Sequence, residues 1–184
     1  MRDGDVTEAA RALGDRIVGE VLLPEDDGYE ATRTVWNAMH DRRPAVILRP
    51  RATGDVAVAL AFAREHQLPV ALRGGGHSVA GHGTVEGGLL IDHALMREVE
   101  VDPDQRIVRA QPGATLADMD RATQQRGLAV PIGVISATEI AGLTLGGGVG
   151  WLTRAHGLTI DSLVATELVT ADGSVVRASM DAEP

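Results

Sequence analysis

Two short apolar runs flank an amphipathic stretch, and the second run breaks off into three consecutive glycines. This succession constrains the fold more than any other feature of the chain. Ala45-Val46-Ile47-Leu48, bracketed by Pro44 and Pro50, reads as a buried strand. Thr53-Gly54-Asp55 opens a helix over about 55–66, with Val56, Leu60 and Ala63 on one face. After Pro69, Val70-Ala71-Leu72 forms a second buried strand. Parallel strands need a long crossover, so strand, helix and strand make a βαβ unit if the two strands lie parallel.

The flanks complete the expected architecture. Helices are predicted over 7–18, capped by Thr7, and over about 29–40, carrying Val35, Trp36 and Met39. Beyond the glycines, Leu89-Leu90-Ile91, Glu98 to Val101 and Arg106 to Ala110 read as short strands with a turn at Asp102-Pro103-Asp104. A helix follows over about 115–126, begun by Thr115 and ended by Gly127. Leu163 to Thr170 and Ser174 to Ala178 make a hairpin turning at Asp172-Gly173. The fold class is α+β, a small βαβ subdomain followed by a larger mixed one. The expected boundaries are an N-terminal helical segment over 1–43, then subdomains over about 44–93 and 94–180.

Two glycine-rich loops carry the chemical signal. Arg73-Gly74-Gly75-Gly76-His77-Ser78 follows a strand directly. Its glycines permit positive φ and close approach of a ligand to the backbone, and consecutive amides can form an anion-binding nest. Arg73 adds positive charge and Ser78 a hydroxyl donor, while the His77 imidazole would face whatever the amides hold. Leu145-Gly146-Gly147-Gly148-Val149-Gly150 has the same character and is preceded by Ser136-Ala137-Thr138. Turn and ligand cradle remain equal readings of such loops by pattern alone.

Other classes are narrowed by composition. A net charge of −9 disfavours nucleic acid, and no Lys/Arg run marks an anionic membrane surface. The absence of cysteine from the 184 residues excludes disulfides, thiolate metal sites and cysteine nucleophiles. Without a signal-like start or a spanning apolar run, the expectation is a soluble cytoplasmic protein with no membrane partner. No Walker sequence is present, and Gly81-His82-Gly83 fails as a dinucleotide fingerprint because Glu86 stands at the third glycine. His77, His82 and His93 lie near Glu86 and Asp92 without a metal-ligand spacing, so no metal is assigned. Trp36 and Trp151 read as packing residues, His40, His66 and His156 as surface or supporting ones, and Asp92, Asp161 and Asp172 as capping or turn residues.

The stretch Arg73 to Gly81, followed in order by Leu89 to Asp92, Gln111-Pro112-Gly113-Ala114, Ala141 to Gly150 and Val169 to Gly173, resembles the berberine-bridge-enzyme-like FAD-linked oxidases. Trp36-Asn37 and Pro44 to Pro50 extend the resemblance upstream, so that it spans about residues 30–178. It implies the FAD-binding PCMH-type fold of the vanillyl-alcohol-oxidase flavoproteins. It further implies FAD with its pyrophosphate cradled by Arg73 to Ser78, Gly81 and His82, and its 8α carbon bonded to His77. Gly133, Val134, Ser136, Thr138, Gly142, Gly146, Gly147, Gly148 and Gly150 would line the flavin and ribityl chain, and the Val169 backbone the adenine. Ile135 takes the place of the cysteine that makes a second flavin bond in some members, and Glu139 stands where members carry glycine.

The activity this implies is oxidation of a small organic substrate, such as an alcohol or sugar, with molecular oxygen as acceptor. Members of the family are more than twice as long, so the substrate domain, with its catalytic base, is expected to lie outside this chain. A flavin module that needs a partner chain, and a truncated frame that folds poorly, stand as alternatives.

Overall fold

The computed structural model describes residues 3–182, in two compact units. The first runs up to Leu95 and takes up the chain again from Thr166, and the second is Met96–Ala165. In the first unit, helix α1 (Asp3–Gly14) leads to strand β1 (Glu20–Leu22) and the short helix α2 (Tyr29–Arg33). Strand β2 (Val46–Arg49), helix α3 (Thr53–Glu65), strand β3 (Val70–Arg73) and strand β4 (Leu89–Asp92) follow. The sheet order is β1-β2-β4-β3.

The strand–helix–strand pattern is therefore present, with one difference. β2 and β3 both run parallel to β4, which lies between them, so the two strands joined by α3 are not hydrogen-bonded neighbours. β4 wins the central place because Leu89, Leu90 and Ile91 are fully buried, as a strand covered on both faces must be. Each such side chain contributes roughly 1.5–3 kcal/mol of burial. Val6, Ala10 and Leu13 of α1 and Val56, Ala59, Phe62 and Ala63 of α3 pack on Val46, Leu48, Leu89 and Ile91.

Asp55 anchors the entry to α3. Its buried carboxylate accepts the amides of Val18, Gly19, Arg51 and Ala52 at 2.9–3.2 Å. One acid thus satisfies the α3 start and the chain beside β1 together.

Helix α2 is shorter than the apolar spacing predicts. It stops at Arg33, because the Thr34 hydroxyl bonds back to the Glu30 carbonyl and the Trp36 amide goes to the Gly76 carbonyl. Residues 34–42 become an irregular segment, in which Trp36 is 70% exposed rather than packed. Trp151, in the second unit, is 88% exposed.

The tail forms the expected hairpin, β7 (Ala165–Val169) with β8 (Val175–Ser179). Gly173 turns it at φ +87, and Val169 packs on the first unit's core. In the second unit, β5 (Val99–Asp102) and β6 (Ile107–Ala110) pair antiparallel. Helix α4 (Leu116–Gln124) packs Leu116 and Met119 against Ile132, Val99, Val108 and Ala110. Thr115 caps α4 in a box with Asp118. Helices α5 (Ile140–Leu145) and α6 (Thr153–His156) lie in the glycine-rich region, where the sequence predicted no element. Among the described residues no helix is long and apolar enough to cross a membrane.

Candidate functional site

The first loop leaves β3 and is held by its carbonyls. The Trp36 amide donates to Gly76 O at 3.1 Å, and Asn37 Nδ2 and His40 Nε2 meet Val79 O at 2.8 and 3.0 Å. Arg42 Nη1 donates to Gly81 O and Thr84 O at 2.9 and 3.1 Å. Peptides are trans and planar, so a carbonyl turned one way turns the next amide the other way. Among the described residues, none accepts a hydrogen bond from the amides of Gly74, Gly75, His77 or Ser78.

Gly76 and Gly81 adopt φ +69 and +74, where a side chain would be strained. Gly81 also lies so close to His40 that a Cβ would stand 2.4 Å from its ring. The His77 ring is exposed, 6.4 Å from the Trp36 ring. Ser78 closes the turn, its carbonyl accepting the Gly81 amide and its hydroxyl the exposed His82 amide.

Arg73 does not add free charge to this loop. Its side chain is buried, with Nη2 2.9 Å from Asp92 Oδ2 and Nη1 3.3 Å from Thr34 O. Asp92 makes the expected local bond, its Oδ1 accepting the Ala94 amide at 3.3 Å, but it is also almost fully buried and pairs with Arg49 at 3.3 Å. The Arg73 stem runs beneath the loop, 3.4 Å from where a Gly76 Cβ would be. His93 Nδ1 lies 3.1 Å from Arg73 O, and burial pushes the His93 ring below its ordinary pKa.

The second unit repeats the device with different means. The first amides of α4, on Leu116 and Ala117, donate to Thr138 O and Ser136 O at 2.9 and 3.1 Å. Among the described residues none accepts from the amides of Val134, Ile135, Ser136 or Ala137. Val134, Ile135 and Ser136 are exposed and Thr138 half-buried. Glu139 is the N-cap residue of α5, with an extended backbone that does not require glycine.

The glycines here separate into two kinds. A Cβ on Gly133 would meet Leu143 at 2.4 Å, one on Gly148 would meet Thr159 at 2.2 Å, and one on Gly150 would meet Ile132 O at 1.7 Å. Gly147 sits at φ +97. Those four are explained by the protein's own packing and backbone. A Cβ on Gly142 would meet nothing within 4 Å, and Gly146 only helix carbonyls at 3.5 and 3.6 Å. Val169, half-buried, ends β7 just before the Ala171-Asp172-Gly173 turn.

The profile of the family described as the FAD binding domain matches residues 44–179. The chain belongs to that family. It is 36% identical over 168 residues to an (R)-6-hydroxynicotine oxidase of Paenarthrobacter nicotinovorans, covering 91% of this chain and 37% of the relative. Its fold matches a berberine-bridge-like protein of Physcomitrella patens with TM-score 0.88 and 25% identity, over 94% of this chain and 38% of that one. It also matches a glucooligosaccharide oxidase of Acremonium strictum, described as holding a 6-S-cysteinyl, 8α-N1-histidyl FAD, with TM-score 0.87 and 32% identity over 95% and 37%. The expected α+β, PCMH-type fold is thus the observed one. The chain spans 35–37% of the length of the first curated relatives it matches.

An FAD binding domain must supply donors to a diphosphate and bare backbone along a flat ring. The amides without an acceptor among the described residues are suitable donors in each unit, and Gly142 offers a face that no protein atom fills, so the residues present fit FAD. What sequence reasoning missed is the supporting role of Asn37 and Arg42, beside His40, which reads as a surface or supporting residue. Its only trace in the sequence was the Trp36-Asn37 pair.

Proposed function

We propose that this chain is the flavin-holding part of an FAD-dependent oxidoreductase, and that His77 carries the cofactor through a bond to its 8α carbon. The observation that supports this most is the exposed His77 imidazole at the end of a loop whose Gly74, Gly75, His77 and Ser78 amides have no acceptor among the described residues. The amides of Gly74, Gly75 and Ser78 would hold pyrophosphate oxygens, and His77 the ring edge. When bound, FAD supplies hydride acceptance. With no cysteine in the sequence, the second bond described for the glucooligosaccharide oxidase has no counterpart here, and the link is monocovalent. The substrate is a small organic molecule, such as an alcohol or sugar, and molecular oxygen is the acceptor; oxidases of hydroxynicotine and of glucooligosaccharides among the relatives support a small-molecule substrate.

Intact mass of the denatured protein, read with its visible absorbance, tests this. A mass increase near that of FAD, less the two hydrogens lost when the link forms and the flavin is reoxidised, with a yellow colour, both lost in His77→Ala, is the expected result. An unmodified, colourless chain after incubation with FAD would overturn the covalent reading.

A second reading, a flavin module dependent on further polypeptide for catalysis, is favoured by Leu145, Val149 and Trp151, which are 70–88% exposed. It predicts bound flavin without turnover by these residues alone.

A further inference from the structure

The segment between α2 and β2 contributes no expected ligand contact, yet five of its hydrogen bonds converge on carbonyls of the His77 loop and its return. The donors are the Trp36 amide, Asn37 Nδ2, His40 Nε2 and Arg42 Nη1, and the acceptors are Gly76 O, Val79 O, Gly81 O and Thr84 O. In a glycine-rich loop nothing intrinsic decides which face shows carbonyls and which shows amides, because each peptide plane can flip at little steric cost. Here the choice is made from outside. Trp36 turns the Gly76 carbonyl inward, and the trans peptide then turns the His77 amide outward. Val35 packs behind Gly76, and the His40 ring fills the space a side chain would take at Gly81.

We propose that residues 36–42 are the positioning element of the flavin loop, with Asn37 and Arg42 as its principal side chains. They hold the carbonyls of Val79, Gly81 and Thr84 on the return of the loop, and with the Trp36 amide on Gly76 O they fix the turn in which the amides of Gly74, Gly75, His77 and Ser78 are left for the FAD diphosphate. The inference rests on the flavin reading above. Arg42 acts through one nitrogen that bonds two carbonyls, so an ammonium with its three N–H donors can substitute for it chemically. Asn37 acts through its amide nitrogen, and a carboxylate in its place cannot donate.

The test uses the full chain carrying His77→Ala, in which any FAD is held non-covalently. FAD affinity is read from flavin fluorescence, beside the thermal midpoint of each variant. Arg42→Ala and Asn37→Ala are each expected to weaken FAD binding about tenfold, as loss of a net hydrogen bond would. Arg42→Lys is expected to recover most of that affinity, and Asn37→Asp none of it. Retention of parental affinity in both alanine variants overturns the positioning role while leaving the flavin reading intact. Failure of Arg42→Lys to bind better than Arg42→Ala overturns it too, because the side chain would then be acting only in folding. A parent that takes up no FAD, beside a His77-containing chain that also stays unmodified and colourless, overturns both.

Discussion

Two loops, one in each unit, present unpaired amides, and they reach that state by opposite routes. Around His77 the carbonyls are held largely by side chains from a remote segment, and the loop stands on a buried Arg73–Asp92 ion pair. Around Ser136 the carbonyls are held by main-chain amides at the start of α4, and close packing at Gly133, Gly148 and Gly150 sets the neighbouring backbone. The first arrangement depends on particular side chains. The second depends on helix geometry and the absence of side chains. The lesson is that a glycine cluster can mark either backbone freedom for a ligand or close approach by the protein itself, and only contacts tell which.

The largest effect expected is at the ion pair. Asp92→Ala leaves Arg73 buried without its partner and should cost about 3–5 kcal/mol in urea unfolding. A loss below about 1 kcal/mol would mean that the His77 loop does not stand on this pair. Next comes Gly150→Ala, whose Cβ would collide with Ile132 O and should cost about 3 kcal/mol. A neutral result there would remove the packing explanation for the second cluster.

Smaller effects sharpen the contrast. Asp118→Ala opens the capping box that presents the α4 amides to Ser136 and Thr138, costing about 1 kcal/mol. Burial pushes the Asp118 carboxyl up, but the Arg97 guanidinium and the Thr115 hydrogen bonds outweigh it and hold the group well below the usual carboxylate range. A depressed carboxyl stabilises the fold above its unfolded pKa of about 3.9, and that contribution is lost as pH falls below it. Stability should therefore fall less steeply from pH ~5 to ~3 in Asp118→Asn than in the parent. Gly142→Ala should raise stability by about 0.5–1 kcal/mol, because the site is helical and open. The same change should weaken FAD binding if the open face is a cradle, which calorimetry and flavin titration separate.

The smallest effect lies in the hairpin turn. Hydrogen bonds from Thr170 and Ser174 lower the exposed Asp172 carboxyl to about 2. Its small contribution should fade between about pH 4 and 2 and vanish in Asp172→Asn, visible in a pH series of thermal midpoints.

The elements legible in the sequence were those encoded over short range. The strands β2 and β3, the α3 and α4 helices and both hairpins follow from apolar spacing, capping residues and turn chemistry, but β3, read as buried, is an edge strand with Val70 and Leu72 exposed. The His77 loop was legible as a glycine-rich turn, and as a flavin cradle only through the family resemblance. Helix α5 was not, since Ile140-Ala141-Gly142-Leu143 carries a helix-weakening glycine, and its place comes from Ile140 and Leu143 packing on Leu116 and Ile132. Helix α2 was read too long, because the bond that ends it comes from Gly76.

By itself the sequence determined the class of fold, the family, and the two loops in which a flavin would be sought. Tertiary structure decided how each loop is held. Asn37 and Val79 are 42 residues apart, and their hydrogen bond exists only after β2, β4 and β3 have assembled. Local propensity acts through neighbours along the chain, whereas the direction of a carbonyl in a glycine loop is set by whichever donor the fold brings beside it.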